Sequence, residues 1–95
     1  MKAFVARVNR WVETLADITN EDIRSREEKR LEDQFAFFSK SYDRGSPVIR
    51  NCIDVAYAEN LMWNLAPQDK KWVWPIIPPT LRDLYIAMWG VPQFK

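Results

Sequence analysis

The sequence predicts an all-α protein: a compact bundle of four to five helices around a buried central helix at about 47–65. Three observations carry this. Apolar residues recur at three- and four-residue spacing in four separate segments. Only two glycines are present, Gly45 and Gly90, which leaves little material for hairpin turns. The stretch 47–65 is apolar on most sides, the mark of a helix enclosed by others. At 95 residues the chain is the size of one domain, 1–95, and can bury a core without disulfides or metal.

The first helix is predicted at 2–18. Phe4, Val5, Val8, Trp11, Val12 and Leu15 share one helical face, while Arg7, Arg10, Glu13 and Asp17 cover much of the other side. Thr19 or Asn20 then reads as the N-cap of a second helix, with Glu21 and Asp22 in its first turn, where negative charge suits the helix dipole. That helix is expected over 20–43. Ile23, Leu31, Phe35, Phe38 and Tyr42 form its inward stripe. Its first half is a charge run, 21–33, in which Asp22/Arg26 and Lys29/Asp33 stand at helical pairing distance, as on a solvated face.

Gly45 reads as a left-handed C-cap of the second helix. Ser46 and Pro47 have the N-cap and first-turn pattern of a third. This third helix, 47–65, carries Val48, Ile49, Cys52, Ile53, Val55, Ala56, Tyr57, Leu61, Met62 and Trp63. Pro67 opens a short turn. The stretch Trp72 to Pro79 holds three prolines, which remove backbone donors, so an extended connector is expected there. Leu81, Leu84, Tyr85 and Met88 mark a last helix at about 80–89, stopped by Gly90 and Pro92.

Composition excludes several functions. The formal net charge is +1 and no segment concentrates Lys and Arg, so no phosphate-binding patch is expected and nucleic acid is not a predicted partner. Histidine is absent and cysteine occurs once, at Cys52; the usual bases of serine and cysteine triads and the common zinc ligand sets are therefore missing. No glycine-rich phosphate loop occurs. Asp54 and Glu59 are the remaining acid candidates, but five residues apart they stand about 140° apart round a helix and share no face. Glu59 and Asn60 are expected to be structural, bonding the backbone ends of neighbouring helices. Cys52 is expected to be inert packing. The expectation is a chain that is not an enzyme, with no catalytic residue, no metal and no cofactor. A lone cysteine, an N-terminus broken by Arg7 and Arg10 and the lack of a long apolar run predict a cytoplasmic protein without membrane contact.

Aromatics point to protein binding instead. Of five tryptophans, four lie from Trp63 onward: Trp63, Trp72, Trp74 and Trp89. Trp and Arg dominate interface hot spots. The expected partner site is the proline-stiffened connector, with Trp72, Trp74 and Ile77 as anchors and Lys70, Lys71 and Arg82 as a polar rim.

The stretch Asp54-Val55-Ala56-Tyr57-Ala58-Glu59-Asn60-Leu61, entered through Gly45 to Ile49, resembles a family of small bacterial all-helical domains. So does the later sequence Trp74-Pro75, Pro78 to Leu81, Leu84-Tyr85 and Trp89-Gly90. The likeness covers roughly 45–90, and such domains are similar to immunity proteins of bacterial toxin systems. It implies a protein partner, a toxin, that the domain binds and neutralises. The rival expectation is a non-catalytic adaptor or subunit of a larger, phage-derived assembly.

Overall fold

Thr19 and Asn20 do not end the first helix. In the computed structural model, which describes residues 2–92 and the side chains of 7 and 9–92, α1 runs unbroken over Lys2–Arg24. The Thr19 hydroxyl lies 3.0 Å from the Leu15 carbonyl one turn back, so it serves its own helix rather than capping the next. Thr19, Asn20 and Asp22 are all buried. The expected stripe positions Phe4, Val5 and Val8 lie outside the described side chains.

The chain reverses at Ser25–Glu27 without a glycine. Arg26 sits in the left-handed region at φ 58. Its N–H donates to Ile23 O at 3.2 Å, and the N–H of Glu27 donates to Asp22 O at 2.9 Å. This is the bond pattern of a Schellman cap, with arginine where glycine is usual. The charge run is thus divided between two helices. Asp22 does not pair with Arg26; it accepts from Gln34 Nε2 at 2.6 Å and faces Arg30 at 3.5 Å. The Lys29–Asp33 pair forms at 3.4 Å, fully on the surface.

The second helix, α2 (Glu28–Arg44), returns antiparallel to α1, with Leu31, Phe35 and Phe38 buried. Gly45 follows in extended backbone, φ −75 and ψ 158, rather than as a left-handed cap. Glycine is required there for room: a Cβ would overlap Ser41 O and come within 2.8 Å of Ile49 Cγ2. Ser46 caps α3 (Pro47–Cys52) as expected, its Oγ accepting from Ile49 N at 3.4 Å.

The predicted central helix changes character after one and a half turns. Residues Ile53–Ala58 are a π-helix, and 59–64 unwind into turns. Ile53, Ala56, Tyr57, Ala58, Leu61 and Met62 are buried, so this segment is the centre of the core. Not all of 47–65 is enclosed, however: Val48, Ile49 and Trp63 face outward.

The stretch after Pro67 is more helical than its prolines suggested. α4 spans Pro67–Val73, a 3₁₀ turn covers Trp74–Ile76, and α5 spans Pro79–Trp89. Each segment has a proline in its first turn, where no intrahelical donor is needed. Ile77 N closes the turn onto Val73 O and Trp74 O, each at 3.2 Å. Pro78 is extended, and Gly90, at φ 82, lies just past the end of α5. The Cα radius of gyration, 12.9 Å, is close to the roughly 12.4 Å of a compact domain of this length. The described residues form an all-α bundle without a strand.

A polar chain crosses the core. Tyr57 lies stacked on Phe38 with ring centroids 3.9 Å apart, and its hydroxyl is 3.0 Å from Thr19 Oγ1. Thr19 Oγ1 is 2.7 Å from Gln34 Oε1, and Gln34 reaches Asp22. Since Gln34 Nε2 donates to Asp22, Oε1 is the acceptor toward Thr19, whose oxygen also shares a hydrogen bond with the Tyr57 hydroxyl. Burial pushes the Tyr57 phenol far above its usual range, opposed only in part by the Thr19 contact.

Candidate functional site

Of the residues predicted to form the partner site, one is enclosed and the others differ in exposure. Ile77 is 1% exposed and belongs to the core, so it is no anchor in the folded chain. Trp72 and Trp74 are half-buried and pack against the core. Trp72 lies under the Arg26 guanidinium, 4.6 Å from carbon to ring centroid, while Arg26 pairs with Asp69 at 2.9 Å. Trp74 meets Tyr85 edge-on at 5.7 Å. Lys70 and Arg82 are partly buried, and the Arg82 Nε is buried without a hydrogen-bond partner; Lys71 is exposed. Trp72 is placed by α4 and Trp74 by the 3₁₀ turn, where an extended strip was expected.

Glu59 and Asn60 also differ from expectation. The Glu59 side chain is exposed. Asn60 Nδ2 donates to Ala56 O at 2.7 Å, closing its own helix rather than capping a neighbour. The link to a neighbouring helix runs through backbone. Asn20 Nδ2, on α1, donates to Asn60 O at 2.8 Å, and Asn20 Oδ1 accepts from Met62 N at 2.8 Å. Met62 and Asn64 both have positive φ, at 64 and 60, so Asn20 clamps a strained loop.

Two other surfaces carry exposed aromatics. On the first, Trp11 (59% exposed) and Phe37 (56%) flank the seam of α1 and α2, with Ile49 of α3 beside them. Between them is a recess of about 140 Å³ floored by buried Val12, Phe38, Cys52 and Ile53. A shallower trough of about 370 Å³ borders Leu15, Asp33 and Gln34. Trp11 was expected to point inward, but Val12 and Ala16 take that role and turn it out. Phe37 had a legible signal: with Phe35 and Phe38 facing in, helical phase turns Phe37 outward.

The second surface pairs Trp63 and Trp89, 58% and 49% exposed, with ring centroids 6.0 Å apart and planes tilted by 37°. Trp89 Nε1 donates to Glu59 O at 3.2 Å, which fixes that ring against the end of the π-helix. One recess of about 410 Å³ is lined here by Glu59, Trp63, Asn64, Lys70, Tyr85 and Trp89, among others. A second, of about 300 Å³, is lined by Glu59, Asn60, Trp63 and Trp89 alone. Among the described residues no group of three or more His, Cys, Asp or Glu side chains is placed to hold a metal ion. No helix among them is long and apolar enough to cross a membrane.

Fold and surfaces together define a small all-α domain with two open aromatic surfaces. The chain matches over residues 3–90, and belongs to, the family described as Domain of unknown function (DUF7674). No curated protein and no solved structure matches it.

Proposed function

We propose that this domain acts by binding another protein, as an immunity-type inhibitor that occupies and neutralises a toxin. The observation that carries the reading is the surface of Trp11, Phe37 and Ile49. Two large aromatics stand more than half exposed around a recess with an apolar floor. Exposed apolar side chains gathered round such a recess mark interaction sites. The recess has room for one large apolar side chain of the partner, and the antiparallel seam of α1 and α2 suits an amphipathic helix laid along it. The kind of partner follows from the resemblance of residues 45–90 to small bacterial helical domains that are similar to immunity proteins. In this reading the recess is formed without the connector residues Trp72, Trp74, Lys70 and Arg82, none of which lines it.

The test is growth rescue. Cells expressing a toxin encoded beside this gene are expected to recover when the domain is supplied, and Phe37→Asp is expected to abolish recovery while the variant stays folded. Full rescue by folded Phe37→Asp overturns the surface. Absence of rescue by the unaltered domain, with a stable complex co-purified, replaces the inhibitor reading with the adaptor.

A further inference from the structure

We infer that the recess of Glu59, Asn60, Trp63 and Trp89 is a separate site for an organic cation, the guanidinium of an arginine presented by a protein segment. Its lining holds one carboxylate, one amide and two indoles, and no basic side chain. Among the described residues the Glu59 carboxylate has no ion-pair partner, and it is exposed. Asn60 Nδ2 is held on Ala56 O, so the group Asn60 offers a ligand is its Oδ1, an acceptor. The two indoles present π faces, which attract cations and favour planar guanidinium over other charges. Every polar and aromatic group in this lining is thus suited to a donor-rich positive ligand.

The same chemistry is already realised elsewhere in the chain. Arg26 lies over Trp72 at 4.6 Å and reaches the Asp69 carboxylate at 2.9 Å. Glu59, Trp63 and Trp89 bring the same residue types to one recess, without an arginine among them. The set is also pre-positioned. Trp89 is pinned by its bond to Glu59 O, and Trp63 sits between two left-handed residues, directly after the Asn60–Met62 stretch that Asn20 clamps. A ligand therefore meets little ordering cost. Lys70 borders only the neighbouring recess, from which its charge would disfavour a cation.

The probe is N-acetylarginine methylamide, titrated at constant ionic strength into the ¹⁵N-labelled full chain and read by the five indole N–H signals. Trp63→Phe and Trp89→Phe assign two of them. Those two are expected to move together and saturate, with the other three unmoved. The neutral citrulline analogue is expected to leave all five in place. Glu59→Gln, an exposed substitution that leaves the fold intact, is expected to weaken the arginine probe at least threefold, and Lys70→Gln to leave it unchanged or tighten it. Equal shifts with citrulline, no shift with arginine up to its solubility limit, or weakening by Lys70→Gln each overturn the assignment. Growth rescue by Glu59→Gln reads the Phe37 surface separately, so either conclusion can fail alone.

Discussion

Asn20 and Met62, forty-two residues apart in sequence, are joined by a buried hydrogen bond: Met62 N donates to Asn20 Oδ1 at 2.8 Å. The Asn20 amide also holds Asn60 O, so a single side chain of α1 fixes the loop that follows the π-helix. A loop with Met62 and Asn64 at positive φ persists only where its surroundings determine it. Asn20→Ala leaves the buried Met62 N–H without its partner, at a cost of about 1–3 kcal/mol, while Asn60 O keeps the Trp63 N–H at 3.1 Å. A loss of about 1–3 kcal/mol in urea denaturation is expected, with displaced Trp63 and Trp89 indole signals. A loss below about 0.5 kcal/mol contradicts the clamp.

Arg26 gives a test of sign. Its left-handed backbone is strained for any residue with a Cβ, while its side chain gains Asp69, Trp72 and Ile23 O. Arg26→Ala removes the contacts and keeps the strain. Arg26→Gly removes the contacts and relieves it. The glycine variant is expected to be more stable than the alanine variant by about 1 kcal/mol, measured by the same denaturation. The reverse order contradicts the Schellman turn at 25–27.

Two apolar positions separate core from surface. Ile77→Ala is expected to cost about 2–5 kcal/mol, because the side chain is wholly enclosed and its removal leaves a cavity. Phe37→Ala is expected to stay within about 0.5 kcal/mol of the unaltered chain, as exposed substitutions do. Calorimetric melting of both variants checks the pair.

Tyr57 sets the alkaline limit. Its folded pKa lies above the unfolded value of 10.0 because burial disfavours the phenolate. The neutral form is the one the fold stabilises, so that contribution is complete below pH 10 and falls as pH rises beyond it. Tyr85 is raised by the same cause and adds in the same direction. Between about pH 10 and 12 the stability of Tyr57→Phe is expected to decline less steeply than that of the unaltered chain, by about 1.4 kcal/mol per pH unit. Equal slopes contradict the buried neutral phenol.

Helical periodicity made the bundle, the Ser46-Pro47 start and the central place of Ile53 to Leu61 readable from sequence. What escaped was decided by contacts between distant segments. Thr19 and Asn20 have the chemistry of caps, and only their partners Tyr57, Gln34, Asn60 and Met62 hold them inside a helix. Arg26 has no turn signature; its left-handed backbone occurs together with side-chain contacts to Asp69 and Trp72, more than forty residues on. Trp72 and Trp74 are apolar for an extended connector, but α4 holds the first and the 3₁₀ turn the second against the core. The exposed aromatics were visible as residues and not as a surface, because Trp11, Phe37 and Ile49 meet only once three helices pack.

The central claim, that the Trp11–Phe37–Ile49 surface is what the partner grips, is tested most directly by Phe37→Asp in the growth-rescue assay, with melting temperature measured on the same preparation. The account predicts an unchanged melting temperature and rescue lost. An unchanged melting temperature with rescue intact would contradict it.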